Sequence, residues 1–136
     1  MIRRTFRFAP LALALLVSAC GSNSSTTTAP SSNGLTTDTF NGTVAVKGSD
    51  AHNFSVTVTG VVSVTLTAAP VPLTLSVGVP GGNGCAPINA GATVLATPGA
   101  LAQLAGEVTP ATYCVLVADP NTLTAAAAYT VTVNHP

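Results

Sequence analysis

From Asp38 onward the chain alternates apolar and polar residues, and a period of two marks a strand with one buried face. In NFSVTVTG, Phe54, Val56 and Val58 fall on one side and Ser55, Thr57 and Thr59 on the other. VVSVTLTA repeats the pattern with Val62, Val64 and Leu66 against Ser63, Thr65 and Thr67. Gly60 stands between these two runs and predicts a hairpin with a short turn. PLTLSVGV sets Leu73, Leu75, Val77 and Val79 against Thr74, Ser76 and Gly78. TYCVLVA is apolar on both faces and reads as a central strand, AYTVTVNH alternates through Tyr129, Val131 and Val133, and TFNGTVAV predicts an earlier strand. Thr and Val, which dominate these runs, are β-branched and fit a pleated sheet. Clusters of Gly, Pro, Asn and Asp in VPGGNG, ADPN and KGSD supply the reversals. The pattern predicts an all-β fold over residues 38–134, an antiparallel, jelly-roll-like β-sandwich of about seven or eight strands.

One segment fits two templates. TPGALAQLAGEV reads as a short helix with Thr97 as N-cap and Pro98 at the first position, or as a strand from Gln103 to Val108. The strand is the favoured reading, because a helix of so few turns has little to nucleate it.

The first residues follow a different logic. Arg3, Arg4 and Arg7 precede an uncharged stretch, Phe8 to Ala19, that would span only about 18 Å as a helix, short of a hydrocarbon core about 30 Å thick. Positive charge, a short apolar region and small residues are the parts of a signal peptide, here residues 1–19. Val17-Ser18-Ala19-Cys20 resembles the lipobox of bacterial lipoproteins. That resemblance implies diacylglycerol on the Cys20 sulfur, cleavage before Cys20 and acylation of the new amino group; the alternative is a structural cysteine after an ordinary signal peptide. Two or more acyl chains anchor firmly, at about 0.8 kcal/mol per buried methylene. Residues 20–37, nearly without charge or bulk, read as a flexible Ser/Thr-rich tether. Gly21 is not the Asp that resembles an inner-membrane retention signal, which favours the outer membrane in a Gram-negative host.

Cleavage changes the charge. Lys47 is then left against Asp38, Asp50, Glu107 and Asp119, one cation against four acids, for a net −3. The basic patch that nucleic acid or anionic lipid would require is absent, so no nucleic-acid partner is expected.

The order of strand cues resembles the bacterial pre-peptidase C-terminal domain, a small β-sandwich attached to secreted enzymes and surface proteins. The matching stretches are FNGTVAV, SDAHNFSVTV, GVVSVTLTA, VPLTLSVGV, TPATYCVLVADP and the closing YTVTV, with Pro110-Ala111 standing where that family tends to place Pro-Gly. The resemblance implies an accessory module that brings no catalytic residues of its own.

With Cys20 assigned to lipid, Cys85 and Cys114 remain as a pair, and in an exported chain they predict a disulfide. No metal site is expected, since neither cysteine has His or further Cys at ligand spacing. His52 and His135 read as solvated residues at strand ends, and Asp50 and Asp119 as turn residues bonded to backbone. Asp50, His52 and one of many serines could be combined into a triad, yet no nucleophile elbow frames them. A weak Ca²⁺ site on such turns is a minor alternative. With no Trp and two Tyr, an aromatic platform for sugars is lacking. The expectation is therefore a lipid-anchored cell-envelope module that is structural or binding rather than an enzyme, needs no cofactor, and meets the membrane through its lipid and an envelope protein or polysaccharide as partner. A carbohydrate- or small-ligand-binding module with its site on the loops comes second, and an enzyme third.

Overall fold

The computed structural model describes residues 27–30, 34–82 and 84–136. The expected signal peptide, Cys20 and most of the expected tether lie outside the described residues. Among the described residues ten strands follow one another: β1 (Thr27–Pro30), β2 (Thr36–Val44), β3 (Ser49–Val56), β4 (Gly60–Ala68), β5 (Leu73–Gly81), β6 (Gly84–Pro87), β7 (Thr93–Ala96), β8 (Leu104–Val108), β9 (Ala111–Ala118) and β10 (Ala127–His135). One antiparallel sheet has the order β1-β2-β10-β4-β8, and the other runs β3-β9-β5, with β6 and β7 sharing the outer edge of β5. Without β1 and β6, the facing orders are β2-β10-β4-β8 and β3-β9-β5-β7, and every step along the chain except β5 to β7 changes sheet. Two four-stranded sheets connected in this way form a jelly roll, as the alternation predicts.

The inward positions are those the period of two selects, except at the end of β5, where Val79 is exposed. Val64, Leu66, Leu73, Leu75, Val115, Val117, Val131 and Val133 are fully buried and close into one core with Phe40, Phe54 and Tyr129. Burial at roughly 25 cal/mol per Å² of apolar surface is the main term holding the sheets together. TYCVLVA is indeed a central strand: β9 lies between β3 and β5.

The expected hairpin between the runs on either side of Gly60 does not form. β3 pairs with β9 and β4 with β10 and β8, so the short link from Val56 to Gly60 passes between sheets. Period two cannot separate these outcomes, because a hairpin and a sheet crossing both leave Phe54, Val56, Val62 and Val64 facing the core. Val58, now in the link, is exposed.

The ambiguous segment is a strand. β8 pairs with β4 from Leu104, opposite Val64, to Val108, opposite Gly60. Ahead of it, the Gln103 amide acts as a substitute strand partner. Its Oε1 accepts the Leu66 N–H at 2.7 Å, and its Nε2 donates to the Thr97 carbonyl at 3.0 Å. β1 pairs with the first part of β2, Thr27 opposite Thr39 and Pro30 opposite Thr36, so sheet pairing begins inside the stretch the sequence reads as tether.

Candidate functional site

The chemistry-bearing side chains converge on the inner faces of β2, β10 and β3. Asp38, Phe40 and Gly42 alternate inward on β2, Tyr129 and His135 on β10, and Asp50, His52 and Phe54 on β3. Asp50 and His52 therefore belong to a strand, not a turn, and neither histidine is solvated as expected: His135 is buried, and the His52 side chain keeps 17% of its exposure. The inward phase of SDAHNFSV, two and four residues before Phe54, carries this information in the sequence.

Two clusters result. In the first, the Tyr129 hydroxyl donates to Asp50 Oδ2 at 2.7 Å. A tyrosine has one hydroxyl hydrogen, so His52 Nε2, 2.8 Å from the same oxygen, carries a hydrogen and donates it to Tyr129. The His52 ring stacks on Phe40, centroids 4.8 Å apart, which fixes its orientation. Gly42, paired with Tyr129 across the ladder, keeps the space clear, since a Cβ there would run into the Asp50 carboxylate and the Tyr129 hydroxyl. Desolvation by burial, with the hydrogen bond to Asp50 and its charge, pushes the Tyr129 pKa far above the ordinary tyrosine value. In the second cluster, His135 Nε2 lies 3.1 Å from Asp38 Oδ2 inside the core, with the Phe54 ring 5.3 Å away.

These groups bond chiefly to one another. Among the described residues, no buried side-chain nitrogen or oxygen lacks a hydrogen-bond partner, and no three His, Cys, Asp or Glu side chains come together to hold a metal. Asp119 is a turn residue, as its context predicts. Its carboxylate accepts backbone N–H groups of Lys47 at 2.7 Å, Thr122 at 2.9 Å and Leu123 at 3.1 Å, and so ties the β2–β3 turn to the β9–β10 loop. Desolvation raises its pKa, but the backbone donors outweigh that and hold it below the usual carboxylate value.

The Cys85–Cys114 disulfide forms. Strands two apart in a flat sheet stand roughly 10 Å from each other. The two cysteine Cα atoms are only 5.8 Å apart, so β6 arches over the outer face of β5 to reach β9. Gly78 makes this possible, because a Cβ there would strike the Ala86 carbonyl.

Near the open edge formed by β4, β5 and β8, Val62, Val77, Ile88, Leu104 and Val108 line an open groove of about 140 Å³ with Glu107 on its wall. Ligand pockets typically measure about 300–1,000 Å³, so this groove takes a small group at most. No protein-family model matches the chain, and no curated protein matches it either.

Proposed function

We propose that this chain is a lipid-anchored, non-catalytic module of the bacterial cell envelope, a β-sandwich of the kind found in pre-peptidase C-terminal domains. The observation that carries the reading is the Asp50–Tyr129–His52 cluster, whose polar atoms bond to one another across the two sheets. Acid–base and nucleophilic catalysis need a positioned group within reach of a reacting atom, and here these groups serve as struts. The Cys85–Cys114 bond supports an oxidising compartment outside the cytoplasm. Its partners in this reading are the membrane, through Cys20, and an envelope protein or polysaccharide; in a Gram-negative host the membrane is the outer one.

Replacement of Cys20 by Ala tests the anchor in cells expressing the full chain. The variant is expected to leave the membrane fraction, or to stall uncleaved at the inner membrane. Normal processing with retained membrane attachment contradicts the reading.

A further inference from the structure

Asp50, His52 and Tyr129 bring three different donor atoms to one place. Asp50 Oδ2 and His52 Nε2 lie 2.7 and 2.8 Å from the Tyr129 hydroxyl oxygen and 3.5 Å from each other. A triangle of that size has a point about 2.0–2.2 Å from all three corners, the usual length of a bond from Zn²⁺ to nitrogen or oxygen. The cluster meets solvent through Asp50 and His52, whose side chains keep 34% and 17% of their exposure. Because the third donor is a tyrosine, the spacing of His and Cys along the sequence does not reveal the set.

The groups have the protons and charges that coordination needs. The His52 ring is already oriented by its stack on Phe40, and among the described residues its Nδ1 has no protein partner. That nitrogen can therefore carry the ring hydrogen once Nε2 turns its lone pair to an ion. The Tyr129 hydroxyl hydrogen leaves to solvent on binding, and the phenolate and the Asp50 carboxylate then match the two positive charges of a divalent ion. Other clusters lack such a set. His135 and Asp38 meet as a buried pair, and the Asp119 carboxylate is taken up by the backbone N–H groups of Lys47, Thr122 and Leu123. We propose that Asp50, His52 and Tyr129 bind a divalent transition ion, which joins β3 in one sheet to β10 in the other. Nitrogen and oxygen donors hold Cu²⁺ more tightly than Zn²⁺. Ca²⁺ and Mg²⁺ seek six or more oxygen ligands and are not accepted by one imidazole and two oxygens. The proposal is independent of the lipid at Cys20.

The full chain, purified in detergent, stripped with a chelator and alkylated at any free Cys20 thiol, is titrated with Cu²⁺ and separately with Zn²⁺. Cu²⁺ bound to a phenolate absorbs visible light by charge transfer, and the wild type is expected to develop that band to completion at one equivalent. Tyr129→Phe, which keeps the ring, should lack the band, and His52→Gln should bind at least about tenfold more weakly. Zn²⁺ at a hundredfold above its Kd should raise the wild-type melting temperature by several degrees, because the ion binds only the folded chain. Neither variant should follow, and Ca²⁺ or Mg²⁺ should leave the wild type unchanged. Melting of each variant without metal shows that it is folded. A wild type without the band, a Zn²⁺ shift equal in the wild type and His52→Gln, or a Ca²⁺ shift as large as that of Zn²⁺ overturns the proposal.

Discussion

The double variant Cys85→Ser/Cys114→Ser is expected to lose about 3–4 kcal/mol of stability in the chain-entropy account, for a bridge between cysteines 29 residues apart. For a domain of this size that corresponds to a fall in melting temperature of at least about 10 °C. The bond joins β6 to β9 across β5, and the segment it closes includes β6 from Cys85 onward and all of β7, both of which have β5 as their sheet partner. Without the bond, the β6 arch keeps its short ladder to β5 but loses the link that holds it over Gly78. Reduction of the wild-type protein should reproduce the same loss. Thermal melting of both checks this, and a double variant that melts with the wild type contradicts it.

The second large effect is expected at Tyr129. Tyr129→Phe keeps the ring in the core but removes the donor to Asp50 and the acceptor for His52, at a cost of about 1–2 kcal/mol. The lower part of the usual range applies because the Asp50 side chain retains 34% of its exposure. The wild-type advantage should depend on pH in a defined direction. Tyr129 has its pKa raised in the folded protein, so its contribution is complete below the ordinary tyrosine value of 10.0 and falls as the pH rises above it. Denaturant titrations of both proteins at pH 8 and in the alkaline range read this directly. An active site often stores strain, and removing its polar groups often stabilises the protein. A Tyr129→Phe protein more stable than wild type therefore contradicts the role of this cluster as a strut and revives the enzyme reading.

Much of this fold is legible in the order of Val and Thr. Positions 54, 56, 62, 64, 66, 73, 75, 131 and 133 face the core because they share a phase of two, and Cys114 lies in the run that reads as central because β9 is covered on both faces. Sheet membership is less legible, since alternation gives the buried face of a strand but not its neighbour. The link at 57–59 shows this, joining two sheets where a hairpin was expected. The short strands β6 and β7 are hidden for another reason. Cys85 and Val94 sit among Gly, Pro, Ala and Asn that predict loop, and their pairing depends on the outer edge of β5 and on the disulfide. The polar clusters are half legible. His52 and Asp50 share the phase of Phe54, which places them inward, but only the facing sheet reveals Tyr129, distant in sequence, as their partner.

The proposed anchor is tested most directly by the intact mass of the full chain after expression in bacteria and detergent extraction from their envelope. The account predicts a chain that starts at Cys20 and carries the mass of diacylglycerol and an acyl group there, with Cys85 and Cys114 oxidised. A chain that starts at another residue, or one without lipid at Cys20, contradicts it.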